Sequence, residues 1–434
     1  MNSFTFEKKT VQLETLYNLF LQFPSVQTDT RKIKEGDLFF ALKGPNFNGN
    51  LFAEEAIKMG AVYAIVDEPF SFISDQLIYT EDVLTTLQAL AKYHREQFKI
   101  PFIAITGSNG KTTTKELVSA VLSSSFNTYT THGNLNNHIG IPLTILSVRP
   151  DAEIAVIEMG ANHQKEIEGY CTYTLPTHGI ITNCGKAHLE GFGGIEGVKK
   201  GKGELFNFLR ETNGIAFVFS DYDYLKNMSI GIPKIIEYGT KNGAVVGNAT
   251  MNEPFLEVTI DKPIQEIIRT QLVGDYNLPN VLCAIAIGNY FNISSNKIKT
   301  AIENYTPSNS RSQMVSNGSN KIILDAYNAN PTSTKAAIEN FAKIQAAEKI
   351  IMLGGMMELG EDSISEHEAI IKLIQKYEWS NVVLVGGDYK NIQHSYLFFD
   401  NSIEAKVWFD EQHFQQAHIL IKGSRSMQME KILS

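Results

Sequence analysis

Long apolar runs are missing from this 434-residue chain. No stretch approaches the ~18 consecutive apolar residues that a membrane-spanning helix needs. The first residues, Met1 to Lys9, also contain no apolar segment of the kind found in secretory leaders. Cysteine is scarce, since Cys171, Cys184 and Cys283 stand far apart and form no C-x-x-C pair. This sparse, odd-numbered set indicates a reducing compartment without a disulfide framework, so we expect a cytoplasmic protein without membrane insertion.

An excess of positive charge is also missing. Lysine and arginine number 38 against 47 aspartates and glutamates, a net charge of −9, which argues against a nucleic-acid partner. A small anionic substrate is not excluded, because local clusters of charge override the net value. With 43% hydrophobic and 20% charged residues the composition is that of a folded globular protein. The length is too great for one core and predicts two or three domains.

A strand, a glycine-rich loop and a helix follow one another directly near residue 105. The apolar run 102–105 ends in Gly107-Ser-Asn-Gly110, and Lys111 and Thr112 then open a helical pattern. Glycines let backbone N–H groups converge on phosphates, and a helix N-terminus adds positive potential. Lys111 would neutralise the β- and γ-phosphates, and the Thr112 hydroxyl would hold Mg²⁺. We interpret the segment as a nucleoside-triphosphate site, shorter than the G-x-x-x-x-G-K-[ST] form. A glycine turn with a solvated lysine is the alternative.

The order of apolar runs and helical patterns predicts an α/β protein with mostly parallel sheets. We predict three units, spanning residues 1–98, 99–306 and 307–434. Pro101 marks the first boundary. Strands are expected at 38–42, 61–66, 102–105, 128–131, 153–158, 179–183, 321–324, 349–353, 381–385 and 418–421. Helices are expected at 11–21, 52–59, 83–98 and 277–290, and residues 217–274 are expected to be rich in strands.

Several residues outside the loop are candidates for chemistry, each with a simpler alternative. Glu158 ends an apolar strand, where a carboxylate often helps to hold Mg²⁺, and an ordinary acid at a strand end is the less favoured alternative. His188 lies in a glycine-rich loop, and a lone histidine there is more often a surface or core residue than a ligand. Lys199, Lys200 and Lys202 suggest a solvated cationic helix face on composition alone.

Polar segments at other strand ends are further candidates. Residues 325–331 leave a strand and enter a helix, with Arg311 just ahead and Lys422 at a neighbouring strand end. An arginine arriving from a separate domain would stabilise a transferring phosphoryl group. The asparagines at 134–137 offer amide groups but are also common in turns. Arg31 could reach a phosphate, although a lone surface arginine usually does not.

Taken together, these segments resemble the Mur ligase family, the ATP-dependent amino-acid and peptide ligases of bacterial cell-wall synthesis. The resemblance covers nearly the whole chain, and the shortened phosphate loop is the family's own version. The segments that carry it are Gly-Asn-Leu-Asn-Asn-His-Ile-Gly-Ile-Pro-Leu-Thr (133–144), Ala-His-Leu-Glu-Gly-Phe-Gly (187–193), Asp-Ala-Tyr-Asn-Ala-Asn-Pro (325–331), Met-Glu-Leu-Gly (357–360) and Lys-Gly-Ser-Arg-Ser-Met (422–427).

The resemblance implies roles for the residues at matching positions. Lys111, His188, Lys202 and Arg311 would be catalytic. The metal ligands of two Mg²⁺ ions would include Thr112, Glu158, His188 and Lys202, the last as a carbamate. ATP would be held by Gly107, Asn109, Gly110, Lys111, Thr112, Thr113, Asn277 and Asn280 and, after domain closure, by Arg311 and Asp325. The substrates would contact Asp29, Thr30, Arg31, Lys43, Asn136, Asn137, Asn328 and Asn330, of which the first four match the segment that binds a UDP group.

The resemblance also implies the fold and the reaction. It implies an N-terminal UDP-binding domain, a central P-loop ATPase-like domain and a C-terminal Rossmann-like domain in a chain that acts as a monomer. The segments 134–137 and 422–425 favour the dipeptide-adding branch. UDP-N-acetylmuramoyl-tripeptide and D-alanyl-D-alanine would then be joined through an acyl phosphate. The alternatives are a sister ligase that adds one amino acid, or glutamate to folate, and an ATP-gated regulatory protein that has lost ligation.

Overall fold

The structure is a computed structural model that describes residues 11–69, 74–252, 254–308 and 310–434. The expectation about a leader rests on residues that lie outside the described ones. The helices are α1 (Leu13–Gln22), α2 (Ala53–Lys58), α3 (Val83–Glu96), α4 (Lys111–Ser123), α5 (Gly140–Ser147), α6 (Glu166–Thr174), α7 (Leu189–Phe192), α8 (Ile195–Glu211), α9 (Asp223–Ser229), α10 (Leu278–Tyr290), α11 (Ser295–Asn304), α12 (Pro331–Lys343), α13 (Ser363–Ile374) and α14 (Ser402–Gln412).

The strands are short, most of them two to six residues long. In chain order they are β1 (Val26–Gln27), β2 (Leu38–Phe40), β3 (Lys43–Gly44), β4 (Phe47–Asn48), β5 (Tyr63–Val66), β6 (Leu77–Tyr79), β7 (Phe102–Thr106), β8 (Thr128–Thr130), β9 (Ile154–Glu158), β10 (His178–Ile181), β11 (Ile215–Phe219), β12 (Lys234–Gly239), β13 (Val245–Asn252), β14 (Phe255–Lys262), β15 (Glu266–Val273), β16 (Gln313–Asn317), β17 (Asn320–Asp325), β18 (Lys349–Gly354), β19 (Asn381–Val385), β20 (Leu397–Phe399) and β21 (His418–Lys422).

The chain divides into two compact units. Unit 1 comprises residues up to 104 together with 126–160 and 168–177, and unit 2 comprises 105–125, 161–167 and 178–434. In unit 1 the strands β1, β2, β5 and β6 form a parallel sheet in that order. Apolar residues of β2 and β5 pack with alanines of α2 to make its core, which includes Phe39, Ala53, Ala64 and Val66. Strands β8 and β9 form a second parallel pair in this unit.

A buried arginine joins two helix ends within unit 1. The Arg95 side chain donates to the carbonyls of Thr174, the last residue of α6, and of Leu175 and Phe98, each at 2.9 Å. Its guanidinium carbon lies 3.8 Å from the centre of the Phe102 ring. Burial lowers the pKa of Arg95 to about 10, a range in which the side chain stays charged at neutral pH. The cation therefore satisfies carbonyls that have no partner within their own helix.

We expect Arg95→Met to lower the free energy of unfolding by about 2–4 kcal/mol, because three buried or half-buried carbonyls lose their charged donor. Chemical denaturation measures this change. Lys92→Met is the matched control, since Lys92 is an exposed cation on the same helix. Equal stability of the two variants would show that the hydrogen bonds of Arg95 make no net contribution to the free energy of unfolding.

Unit 2 contains two sheets. In the first, β10, β11, β12 and β13 are parallel neighbours, and β14 and β15 continue the sheet as antiparallel strands. The second has the order β16-β17-β21-β18-β19-β20, with only the β16–β17 pair antiparallel. In the second sheet β21 lies between β17 and β18, so the carboxyl ends of strands distant in sequence meet. Ligands bind at such edges in α/β sheets.

The prediction of an α/β fold with mostly parallel sheets is confirmed. The expected strands and helices are present, with ends that differ by at most two residues, and residues 217–274 form five strands and the short helix α9. No described helix has the length and apolar character to cross a membrane. The predicted boundaries at 98/99 and 306/307 stay predictions.

Candidate functional site

The loop between β7 and α4 has the geometry of a phosphate cradle. The φ angles of Gly107 and Gly110 are 143° and 80°, which favour glycine. A Cβ atom on Gly107 would lie 2.0 Å from Thr182 Oγ1, so a side chain has no room there. Helix α4 begins at Lys111, and its N-terminal N–H groups and dipole therefore face the loop. The predicted strand, loop and helix are confirmed.

Residues after β10 hold this loop in place. Ser108 N donates to the Asn183 carbonyl at 2.9 Å, and Asn109 N donates to Asn183 Oδ1 at 3.1 Å. The Asn109 carbonyl accepts from Thr182 Oγ1 at 2.6 Å and from Asn183 Nδ2 at 3.0 Å. The loop is thus preorganised by its own chain. Asn183 has no role among the sequence predictions, although a polar residue at the carboxyl end of a parallel strand is a signal of a binding site.

Lys111, Thr112 and Thr113 form the first turn of α4. Lys111 Nζ donates to the carbonyls of Gly107 at 2.7 Å and Ser108 at 3.1 Å, which folds the ammonium back over the loop. Thr112 is buried and Thr113 is half-buried. A cation held over a glycine loop is placed to neutralise a phosphate bound there. The assigned roles of these three residues stay predictions.

Two asparagines at the start of α10 are buried against the loop. Asn277 Nδ2 donates to the Val273 carbonyl, and Asn280 Nδ2 donates to Asn277 Oδ1, both at 2.9 Å. Thr114 Oγ1 donates to Asn280 Oδ1 at 3.0 Å. A Cβ atom on Gly110 would lie 2.7 Å from Asn280 Oδ1. Asn280 therefore supports the loop, and the predicted contact of both asparagines with a nucleotide stays a prediction.

Lys202 is buried on α8, although composition alone predicted a solvated cationic helix face there. That prediction is wrong for Lys202, whose exposed fraction is 1%, and correct for Lys200, which is exposed. Lys202 Nζ donates to the Ala161 carbonyl at 2.9 Å and lies 4.9 Å from the centre of the Phe192 ring. Burial, and next the positive charge of Lys111, hold the pKa of Lys202 well below its usual value. The helix turns this one lysine inward because residues at helical spacing share a face.

His188 directly precedes the short helix α7 and has a positive φ of 53°. Its Nδ1 lies 2.5 Å from Glu358 Oε2, and the imidazole lowers the pKa of the Glu358 carboxyl below its usual range. The His188 side chain is mostly buried, whereas that of Glu358 is half exposed. The predicted role of His188 as a metal ligand stays a prediction. Glu358 has no role among the sequence predictions, although its motif carries part of the resemblance.

Glu158 and the asparagine segment lie together in unit 1. Glu158 is buried at the end of β9, and its Oε1 accepts a hydrogen bond from Asn136 Nδ2 at 2.7 Å. Asn137 Oδ1 accepts from the N–H groups of Ile139 and Gly140, where α5 begins. Both asparagines therefore organise their surroundings within this unit. Their predicted substrate contacts stay predictions.

The predicted UDP-binding residues at the N-terminal end also lie in unit 1. Arg31 donates from Nε and Nη2 to the two carboxylate oxygens of Asp29, each at 2.8 Å, and this pairing lowers the pKa of Asp29. Thr30 begins the 3₁₀ turn that Asp29 caps. The Arg31 side chain remains exposed, so it can reach a ligand when it leaves Asp29.

Lys43 is held by two carboxylates. Its Nζ lies 3.1 Å from Asp67 Oδ1 and 3.5 Å from Glu68 Oε1, and these contacts raise the pKa of Lys43. Asp67 also accepts from Asn50 Nδ2 at 2.8 Å. Because two acids neutralise it, Lys43 offers a phosphate less attraction than an unpaired lysine would. Its predicted role in substrate binding stays a prediction.

The carboxyl ends of β17 and β21 place two predicted residues side by side. Asp325 accepts from the buried Lys422 Nζ at 2.6 Å and from Ser312 N at 3.2 Å. Lys422 Nζ also donates to the Asn328 carbonyl at 3.2 Å, and Asn328 Oδ1 accepts from Ala329 N. The sequence motifs at 325–331 and 422–427 are thereby joined. The predicted nucleotide contact of Asp325 and substrate contact of Asn328 stay predictions.

Residues beyond β17 contact the phosphate loop directly. Asn330 caps α12 together with Ser333, and its Nδ2 donates to Asn109 Oδ1 at 2.7 Å. Asn109 Nδ2 is a buried donor beside the cradle and has no hydrogen-bond partner among the described residues. The Arg311 guanidinium carbon lies 3.5 Å from the centre of the Tyr327 ring. Stacking on a ring does not neutralise the cation, so its charge can act on a phosphoryl group.

The predicted metal ligands are divided between the two units, with Glu158 in unit 1 and the other three in unit 2. Among the described residues, no group of three or more His, Cys, Asp and Glu side chains is assembled for a metal. The Thr112 hydroxyl and the Glu158 carboxylate are oxygen donors, which Mg²⁺ prefers. These two donors are chemically suited to Mg²⁺. Binding of one ion by all the predicted ligands stays a prediction.

Three domain descriptions match the chain in succession. They are "Mur ligase family, catalytic domain" over residues 22–101, "Mur ligase middle domain" over 105–288 and "Mur ligase, glutamate ligase domain" over 310–424. Together they cover most of the chain. Their succession agrees with the three-domain organisation expected from sequence.

Individual proteins are similar over almost the full length. The chain is 33% identical over 421 residues to the UDP-N-acetylmuramoyl-tripeptide–D-alanyl-D-alanine ligase of Bacillus subtilis, covering 94% of this chain and 92% of that protein. It is 35% identical over 423 residues to the ligase of the same name from Escherichia coli, with the same coverage. A crystal structure of a MurF ligase from Thermotoga maritima in complex with ADP superposes with a TM-score of 0.86 at 25% identity, covering 95% of this chain and 97% of that one.

Proposed function

Since the chain belongs to the Mur ligase family, we propose that it joins D-alanyl-D-alanine to UDP-N-acetylmuramoyl-tripeptide, converting ATP to ADP and phosphate. The observation that carries the proposal is the preorganised phosphate loop, with Lys111 over it. The full-length similarity to ligases of that name supports the dipeptide-adding branch over the sister branches. The ADP complex of the similar Thermotoga maritima ligase supports ATP as the nucleotide.

The reaction has two steps. A carboxylate oxygen of the tripeptide attacks the γ-phosphorus of ATP, the bond to the bridging oxygen breaks, and an acyl phosphate and ADP result. The amine of the dipeptide then attacks the acyl carbon, loses a proton, and the tetrahedral intermediate collapses to an amide and inorganic phosphate. A free carboxylate needs this activation because it is a poor electrophile.

Lys111 and Arg311 supply charge for the first step. The γ-phosphate repels the attacking carboxylate because both are negatively charged. The two cationic side chains offset that repulsion and stabilise the charge that grows on the transferred phosphoryl group. Lys111 lies at the loop, and Arg311 keeps its charge on the ring of Tyr327. Bound Mg²⁺, held by Thr112, Glu158, His188 and modified Lys202, would polarise the phosphate oxygens.

We propose that Lys202 carries a carbamate. Its neutral Nζ attacks the carbon of CO₂, an N–C bond forms, and a proton is released. Burial that disfavours the ammonium supports this chemistry, because the neutral amine is the nucleophile. The product is a carboxylate-like group, an oxygen donor of the kind that Mg²⁺ prefers.

We propose that, within unit 2, the segments beyond β17 help to exclude water from the acyl phosphate. Asn330 contacts the loop residue Asn109, and Thr332 Oγ1 accepts from Lys186 N at 3.0 Å. The Lys186 side chain also forms an ion pair with Glu366. Acyl phosphates hydrolyse readily, so contacts of this kind would protect the intermediate and align the amine.

We also propose the remaining assignments made from sequence. Residues 1–98, 99–306 and 307–434 would be the UDP-binding, ATP-binding and C-terminal domains, and the chain would act as a monomer. All three cysteines are buried, and so sparse and odd-numbered a set fits a reducing compartment, which supports the cytoplasm as the location of the protein.

Phosphate release from ATP with UDP-N-acetylmuramoyl-tripeptide tests the proposal. Parallel reactions contain D-alanyl-D-alanine, single amino acids or no amine, and mass spectrometry identifies the product. We expect release that requires the dipeptide, with a pentapeptide product. Ligation of a single amino acid would assign the chain to a sister branch, and no release with any acceptor would support a regulatory protein instead.

A further inference from the structure

The motif Met357–Gly360 carries part of the resemblance but none of the roles assigned so far. We propose that Glu358 is the positioning residue of His188: its carboxylate holds the Nδ1 side of the imidazole, so that Nε2 is presented to the metal ion. This inference rests on the proposed metal-binding role of His188.

The first support is the contact itself. Nδ1 of His188 lies 2.5 Å from Glu358 Oε2, and Nε2 makes no hydrogen bond to any residue that the structure describes. The contact is short, although its angle is not that of a well-directed hydrogen bond, and it places the carboxylate beside Nδ1. Metal-bound imidazoles usually have their second nitrogen held by a carboxylate or carbonyl, which fixes the ring and raises its basicity. Glu358 occupies that position.

The second support is the backbone of both partners. His188 and Glu358 have φ angles of 53° and 63°, in the left-handed region that non-glycine residues rarely adopt. Such conformations persist only where the surroundings hold them, and they cluster at functional sites. Here two of them face each other across one contact. A surface ion pair of no consequence would not require strained backbone on both sides.

The third support is the anchoring of the motif. Met356 N donates to His367 Nε2 and Met357 N donates to Ser424 Oγ, both at 3.0 Å. A Cβ atom on Gly360 would lie 3.3 Å from the Glu190 side chain, so the motif lies against the chain next to His188. Residues from two other segments thus anchor the backbone beside Glu358. A residue that positions another side chain must itself be held in place in this way.

Manganese binding tests the inference without reference to ligation. Mn²⁺ replaces Mg²⁺ in the presence of ADP, and electron paramagnetic resonance measures the free ion. We expect Glu358→Gln to weaken Mn²⁺ binding by about 10–100-fold, and Glu358→Asp, which keeps the charge, to regain part of the loss. Glu361→Gln is the matched control, since it removes an exposed carboxylate three residues away and should bind Mn²⁺ as the unmodified protein does.

A double-variant cycle shows whether Glu358 acts through His188. We expect Glu358→Gln to have little further effect in the His188→Ala background, because the group it positions is gone. An equal loss in both backgrounds, or no loss from Glu358→Gln alone, would overturn the inference. Unchanged Mn²⁺ binding by His188→Ala would refute the metal-binding role of His188 and this inference with it. The ligase function is judged separately, by dipeptide-dependent phosphate release.

Discussion

Lys111→Met is expected to lower dipeptide-dependent phosphate release by about 10³-fold, since loss of one preorganised charge at a transferring group has effects of this order. The ammonium lies over the loop, held by the carbonyls of Gly107 and Ser108. Methionine keeps the length of the side chain and removes only its charge. Because two loop carbonyls also lose their donor, some loss of stability is expected, so phosphate release is measured well below the midpoint of thermal unfolding.

Lys200→Met is the matched control for Lys111→Met, because Lys200 is an exposed lysine on α8. We expect this control to release phosphate at the rate of the unmodified protein. Substantial release by Lys111→Met, with the protein folded, would show that the loop does not supply the charge for phosphoryl transfer.

Lys202→Ala should lose activity on the order of 10²-fold or more, because changes even in the partners of metal ligands cost 10–100-fold. If the active group is a carbamate, a short carboxylic acid can enter the cavity left by the side chain and supply the missing oxygens. We therefore expect part of the activity to return with added formate or acetate. Phosphate release is measured across a series of acid concentrations.

The same acids added to Lys111→Met provide the control for Lys202→Ala. That variant lacks a cation, so a carboxylate cannot replace what was removed, and we expect no recovery. Failure of every acid to restore Lys202→Ala would count against the carbamate, as would equal recovery of both variants.

Periodicity and loop chemistry were sufficient to predict the local elements. The phosphate loop can be predicted because its strand, glycines and helix are adjacent in sequence. Gly107 and Gly110 stand at positions whose positive φ angles favour glycine. The α/β class can be predicted because many of the strands in the parallel sheets are followed by a helical pattern. These are signals in which neighbours in the chain are also neighbours in space.

Contacts between distant segments could not be predicted in this way. The reading of Lys202 from composition was wrong because nothing in Val198-Lys-Lys-Gly-Lys distinguishes the buried lysine from the exposed ones. The pairing of His188 with Glu358 joins residues 170 positions apart (358 − 188), brought together by the fold of unit 2. Asn183 supports the loop from a separate strand end. In each case tertiary contacts, not local pattern, decide the role of the side chain.

The measurement that tests the account most directly follows oxygen through the reaction. The tripeptide is prepared with both oxygens of its terminal carboxylate labelled as ¹⁸O and is then ligated with unlabelled ATP and D-alanyl-D-alanine. If the carboxylate attacks the γ-phosphorus, one ¹⁸O leaves with the inorganic phosphate and the other remains in the new amide. Phosphate without ¹⁸O, released together with the pentapeptide product, would contradict the acyl-phosphate mechanism.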